Sequence, residues 1–316
     1  MQGIIDIGSN TIRMNIYRIE EDGTATLLMN KKDMTGLASY ITDGYMTAAG
    51  IDTACEVLSE FKALLDDFNI QGHAFATAAL RNVSNSKAAV AEIAERSGMP
   101  IEVLSGEDEA RLDFLGVTQT VPLERGVLID IGGASTEIVI YDGKDIKKAF
   151  SMPLGSLNMY NQHVANLLPT KQERKEIKYE VLKALAADED FLAREQWNVE
   201  GMCGVGGTLR AAGRLNYALF DVTRSNRTLT RPAVKKIIRL LENYSKDTLV
   251  STDSLELLLR YVPERVRTIL PGMIILHTLM KFFYVDTIEV SKMGVREGYL
   301  YQRILKKEAT DNEEKA

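Results

Sequence analysis

At 316 residues, with 45% hydrophobic and 26% charged side chains, the chain has an ordinary globular composition and the length for two domains of roughly 150 residues. A net charge of −6 argues against a general nucleic-acid binder. It leaves room for small anions, which are held by local amides, arginines and metal ions.

Two cysteines, Cys55 and Cys203, are too few for a disulfide framework. No stretch approaches the roughly 20 apolar residues of a membrane span, and the start lacks a basic leader segment. A cytoplasmic protein with no membrane and no nucleic-acid partner is therefore expected.

In chain order, β-branched residues on both sides of a turn (Ile4, Ile5, Ile7, then Ile12 and Ile16) predict a hairpin that ends in the polar run Glu20–Thr24. Apolar residues at helical spacing predict a helix over Thr47–Phe68. The stretch from His73 reads as a buried strand running into a loop at Asn82. A helix ending at Gly98 follows, with Pro100 just beyond. The segment from Ile101 predicts a strand, a turn at Ser105–Gly106, and a helix with acidic residues in its first turn, which suits the helix dipole.

Val121–Gly126 reads as a linker, after which the pattern restarts: hairpin, strand, helices, a strand ending near Thr208, and more helices. Pro271–Val285 reads as a core helix. The late segment from Thr287 predicts a strand, a glycine turn and a helix, before a charged, frayed tail over 307–316. The domains are expected at 1–122 and 123–316, with a C-terminal helix over 295–306 packing back on the first.

The restart is literal. IDIGSNTIRMNIY from Ile5 and IDIGGASTEIVIY from Ile129 agree at six of thirteen positions, which predicts one structural half used twice. Each copy places an Asp at a strand end, then Gly and small residues. Gly lets backbone approach a ligand, consecutive amides form an anion-binding concavity, and hydroxyls add donors. Gly8, Ser9, Asn10 and Thr11 in one copy, and Gly132, Gly133, Ser135 and Thr136 in the other, are the candidate phosphate binders. Asp6 and Asp130 suit a phosphate site only with a cation between, and Mg²⁺ takes one or two carboxylates plus phosphate oxygens. Two such hairpins facing each other would grip a phosphate chain and its metal.

Two Asp-x-Gly hairpins resemble those of the actin-like ATPase superfamily. The set IDIGSNTIRM, ATAALRN (Ala76), SGEDEARLDFLG (Ser105), IDIGGASTEIVI, GVGGTLRAAG (Gly204), ILPGMIIL (Ile269) and SKMGVREGYLY (Ser291) is similar, in order and over nearly the whole chain, to the exopolyphosphatase and guanosine pentaphosphate phosphohydrolase family, in its short two-domain form.

The resemblance implies an α/β fold of two ribonuclease-H-like domains with a central cleft. It implies Mg²⁺-dependent release of terminal phosphate from polyphosphate or guanosine pentaphosphate, and a homodimer at the family level. By motif position, Glu109 matches the water-activating carboxylate. Asp130 and Glu137 match the second acidic loop, Asp6 the first, and Arg81 a substrate-contacting arginine. Glu137 is taken with Glu109 as catalytic. Gly206, Gly207 and Thr208 form either a further phosphate cradle at a helix start or tight strand–helix packing.

Arg296 and Glu297 are read as an internal pair supporting the loops. The charges of Glu264–Arg267 are read as a solvated helix end. Three departures from the family pattern stand out: Ala134 replaces a third glycine, Lys292 and Met293 replace glycines, and residues 34–46 replace a segment that usually carries an arginine. They motivate a third reading, a phosphate-chain or alarmone sensor with poor turnover. A sugar-kinase-like phosphotransferase is the less favoured enzyme.

Overall fold

The computed structural model describes residues 1–121, 123–192, 197–220, 222–223, 225–241 and 252–306. The tail over 307–316 and Pro122 of the expected linker lie outside the described residues. Two compact units form: Met1–Gly116 with the described residues from Val295 onward, and Val117–Gly294.

The first unit holds β1 (Gln2–Ile7), β2 (Ile12–Ile19), β3 (Ala25–Asp33), the short pair β4 (Ile41–Thr42) and β5 (Tyr45–Met46), α1 (Ala48–Asp67), β6 (Gln71–Ala76), α2 (Ala78–Arg81), α3 (Ser86–Ser97), β7 (Ile101–Val103) and α4 (Gly106–Thr118). Its sheet runs β3-β2-β1-β6-β7, with β1 parallel to β6 and β6 parallel to β7. Covered on both faces, β1 sends Ile5 and Ile7 into the core beneath α1 and α3, and Ile4 into a second core with Phe75, Leu112 and Tyr299. This is the period-2 alternation of a strand buried on both sides.

The expected first helix is α1. The Thr47 hydroxyl caps it by accepting from the Gly50 amide. Ile51, Ala54, Leu58, Phe61 and Leu65 face inward at helical spacing. The α3 helix stops at Gly98 in the left-handed region. The short pair β4–β5 is not among the expected elements, and two further elements differ from expectation. The third strand β3 carries exposed Leu27 and Leu28 at the sheet edge, which blurs its alternation. The loop expected before Asn82 opens with the single helical turn α2.

The second unit holds β8 (Arg125–Ile131), β9 (Thr136–Asp142), β10 (Asp145–Met152), α5 (Ser156–His163), α6 (Lys171–Ala186), α7 (Glu189–Leu192), β11 (Gly201–Val205), α8 (Gly206–Leu219), β12 (Thr228–Thr230), α9 (Arg231–Leu241), α10 (Thr252–Tyr261), α11 (Ile269–Phe282) and β13 (Thr287–Val290). Its sheet runs β10-β9-β8-β11-β13-β12.

The first five strands repeat the topology of the first sheet: an antiparallel three-strand meander, then two parallel strands reached by helical crossovers. This is the ribonuclease-H-like arrangement, present once in each unit. The predicted core helix is α11, buried along nearly its whole length. After β13 the chain re-enters the first unit as α12 (Val295–Tyr299) and a π-helical turn over Leu300–Leu305. There Val295, Tyr299, Leu300 and Ile304 complete the second core.

Among the described residues no helix is long and apolar enough to cross a membrane.

Candidate active-site residues

The two repeated turns share one strand register. Asp6 stands opposite Arg13 and Ile7 opposite Ile12; Asp130 stands opposite Glu137 and Ile131 opposite Thr136. In each, the first glycine's amide closes the turn on a carbonyl three residues on, Gly8 to Thr11 at 3.1 Å and Gly132 to Ser135 at 3.0 Å.

The remaining carbonyls are tied back to the segment after the third strand. Ser9 and Asn10 carbonyls accept from Ala38 and Gly36. The Gly132 carbonyl accepts from Ser156 and the Gly133 carbonyl from Leu157 and Asn158. With the carbonyls turned one way, the amides of Ser9, Asn10, Gly133 and Ala134 donate to no acceptor among the described residues. That is the polarity of an anion-binding turn. The Asn10 side-chain nitrogen is also buried with no hydrogen-bond partner among the described residues.

Neither Gly133 nor Ala134 takes a positive φ, so the alanine in place of a third glycine is accommodated without backbone strain. Ser135 is buried in the turn, and Thr11 lies close to Met34. Thr136 differs from its expected role. It is fully buried and its hydroxyl is spent on the Leu154 carbonyl at 2.8 Å, because the turn must be tied to the strand end leading into α5.

The acidic residues divide by unit. Asp6 accepts from Arg296 Nη1 at 2.7 Å, and both side chains are largely buried. Beside them Asn15 donates to the Tyr17 hydroxyl, which donates to Glu297. Burial works against the charge on Arg296, but the carboxylates of Asp6 and Glu297 overcome it and hold its pKa above the usual arginine value. Burial, reinforced by Glu297, pushes the Tyr17 phenol well up. Thus Arg296 holds Asp6 next to the first turn, whereas Glu297 binds Tyr17, which stands opposite Gln2 at the far end of the hairpin.

Asp130 and Glu137 are directly paired across the strands, so two carboxylates share one face. Two carboxylates on one face are the kind of oxygen donors that a divalent ion takes. Glu137 is buried and accepts from Ser151 Oγ at 2.7 Å. One Asp130 oxygen is enclosed against the start of α8. Gly206 sits there at φ +83°, and any Cβ would overlap Asp130 Oδ1. The second turn thus carries two oxygen donors of its own. In the first turn, Asp6 is ion-paired with Arg296.

Glu109 and Arg81 meet within the first unit. Arg81 Nη1 lies 2.6 Å from Glu109 Oε2 and 3.2 Å from the Leu104 carbonyl. Ser105 caps α4 through the Asp108 amide and so places Glu109 in its first turn.

In the second unit, α8 starts at Gly206–Gly207–Thr208. Thr208 is buried against Gly272 of α11, where a Cβ would overlap its methyl group. A Cβ at Gly207 would overlap Arg265 Nη2, so the Arg265 guanidinium lies against the helix start. The positive end of a helix favours an anion. Sequence reasoning missed Arg265 by reading Glu264–Arg267 as a solvated helix end. The signal was the side-chain-free Gly207, which cannot be assigned a partner from sequence.

Along the body of α8 opens a hollow of about 510 Å³, lined by Arg210, Tyr217, Arg260, Tyr261, Ser291 and Lys292 among others. Lys292, one of the departures from the family pattern, thus adds a cation to a pocket with two phenol rings.

Known proteins share this sequence pattern and fold. Residues 15–307 match the model of the Ppx/GppA phosphatase family. Exopolyphosphatase 1 of Mycobacterium bovis is 26% identical over 308 residues, covering 96% of this chain and 88% of that protein. The crystal structure of the Ppx/GppA family member of Aquifex aeolicus aligns with a TM-score of 0.75 at 26% identity, covering 96% of this chain and 97% of that one. An exopolyphosphatase structure from Cytophaga hutchinsonii shares the fold, with a TM-score of 0.82 at 23% identity over 95% and 96% of the two chains.

Proposed function

The chain belongs to the Ppx/GppA phosphatase family, and from that premise we propose that it is an exopolyphosphatase, releasing terminal phosphate from inorganic polyphosphate with Mg²⁺. The single observation that carries this reading is the duplicated turn. In each unit a hairpin with its carbonyls tied back offers amides to an anion, and in the second unit two side-by-side carboxylates suit a divalent ion.

Phosphoanhydride hydrolysis asks the protein chiefly for positioning and charge stabilisation. Asp130 and Glu137 would hold the ion, which supplies charge neutralisation at phosphate oxygens when bound. The amides of Ser9 and Asn10, and of Gly133 and Ala134, would orient phosphate groups. The start of α8 with Arg265 would hold a further phosphate. Glu109, oriented by Arg81, would polarise the attacking water. Asp6, paired with Arg296, would fix the first turn.

A second reading, guanosine pentaphosphate 5′-phosphohydrolase, is favoured by one observation. The hollow beside α8 combines Tyr217 and Tyr261 with several cations, and a nucleoside needs such aromatic walls beside its phosphates. Phosphate release from long-chain polyphosphate, guanosine pentaphosphate and ATP, each with and without Mg²⁺, tests the proposal. Mg²⁺-dependent release mainly from polyphosphate is expected. Faster turnover of pentaphosphate would move the assignment to the second reading, and binding of either without release would mark a sensor.

A further inference from the structure

Away from the turns, the second unit gathers positive charge around His277. A hollow of about 390 Å³ is lined by Arg231, Pro232, Lys235, His277 and Lys281. Residues 231 and 235 are one turn apart on α9, and 277 and 281 one turn apart on α11, so two helix faces meet there. Arg231 pairs with Asp286 at 2.5 Å, but Lys235 and Lys281 make no ion pair among the described residues, and neither does nearby Lys178 of α6.

Burial and the cations Lys281, Lys235, Arg231 and Lys178 hold the His277 pKa down to about 4, so the imidazole is neutral at physiological pH and adds no repulsion. The chain as a whole carries a charge of −6, so a concentrated positive field here has no general cause and marks a preference for an anion.

This hollow belongs to a series that leads, within the same unit, to the one along α8. The pocket along α8 shares Asn226 with a neighbouring hollow. That hollow is lined in turn by Lys236 and shares Pro232 with the one around His277. The three form an adjoining run edged by cations, from Arg210 and Lys292 at one end to Lys235 and Lys281 at the other. On α11 the residues of the last hollow lie roughly 8–14 Å along the axis from Gly272, on the face turned away from it. A ligand reaching both ends must be a long, flexible polyanion.

We propose that the hollow around His277 is an exosite that binds the distal, unreacted part of a long condensed-phosphate chain. This rests on the polyphosphate reading above and deepens it: the exosite gives preference for long chains over short ones. Its contacts are ionic and exposed, so the preference falls with salt.

The test compares wild type with Lys235→Ala/Lys281→Ala and Lys235→Glu/Lys281→Glu variants of the full chain, each checked for an unchanged melting curve. Phosphate release and equilibrium binding are measured for long-chain polyphosphate and for tripolyphosphate. The alanine variant should raise KM and Kd for the long chain about tenfold, the weakening that two lost exposed ionic contacts can give. The charge reversal should raise them further, and tripolyphosphate turnover should stay unchanged. Proton NMR of the imidazoles should show the His277 pKa rising when long-chain polyphosphate binds wild type.

Equal effects on long and short substrates, no effect on either, or an unmoved His277 would overturn the exosite. If wild type hydrolyses neither substrate, the proposed activity fails instead, and the binding and NMR comparisons still decide the exosite.

Discussion

Arg81 Nη1 bridges the Glu109 carboxylate at 2.6 Å and the Leu104 carbonyl at 3.2 Å, so one guanidinium group fixes the carboxylate assigned to water activation. Glu109→Gln should lower kcat by roughly 10²–10⁴ while long-chain polyphosphate binding by calorimetry stays close to wild type. Arg81→Ala should also lower kcat, by freeing the carboxylate. The double variant should be little worse than Glu109→Gln alone, because two residues acting as a unit are not additive. Fully additive losses would show that Arg81 acts independently, and near-full activity in Glu109→Gln would remove the assignment.

The second prediction separates a structural from a metal-binding Asp6. Arg296 is buried between Asp6 and Glu297. Arg296→Met leaves those carboxylates uncompensated and should cost about 3–5 kcal/mol in thermal or urea unfolding. Asp6→Asn should destabilise as well, and Asp6→Asn/Arg296→Met should recover part of the loss. Mg²⁺ affinity should be nearly unchanged in folded Asp6→Asn but strongly reduced in Asp130→Asn. The reverse ranking would restore Asp6 as the ligand.

Much of this arrangement was legible from sequence because the repeat carries its own register. Asp, Ile and Gly at equal spacing fix which residue ends the strand, and the turn follows. Helices with a strong apolar face, such as α1 and α11, were equally plain. What stayed hidden depended on long-range partners. The third strand β3 lies at a sheet edge with Leu27 and Leu28 exposed, so its alternation gave no signal. Thr136 looked like a ligand hydroxyl until the strand end placed the Leu154 carbonyl on it. The partnership of Asp6 with Arg296 joins residues from opposite ends of the chain, and that of Gly207 with Arg265 depends on what a missing side chain admits. No local pattern encodes either.

Gly206 should be intolerant of any side chain. It holds φ +83°, and a Cβ would overlap Asp130 Oδ1. The left-handed conformation alone costs a non-glycine residue about 1–2 kcal/mol. The overlap must also displace the Asp130 carboxylate. Gly206→Ala should therefore lose Mg²⁺ affinity and activity beyond what its melting temperature explains, whereas Gly213→Ala, on the same helix with nothing near its Cβ, should leave both intact. Normal Mg²⁺ binding in Gly206→Ala would mean that Asp130 does not hold the ion.

His277 sets a pH dependence with a definite sign. Its pKa falls from 6.5 to about 4 on folding, through burial and the surrounding cations. Between those values the unfolded chain binds the proton and the folded chain does not, so protonation favours unfolding. Stability from this group is complete above about pH 6.5, is lost as pH falls towards 4, and changes no further below. Allowing for solvent screening at a half-buried site, the loss is at most about 2–3 kcal/mol. Melting curves from pH 7.5 to 4 should show this slope in wild type and a flatter one in His277→Gln. Identical slopes in the two proteins would mean that the acid sensitivity lies in other groups.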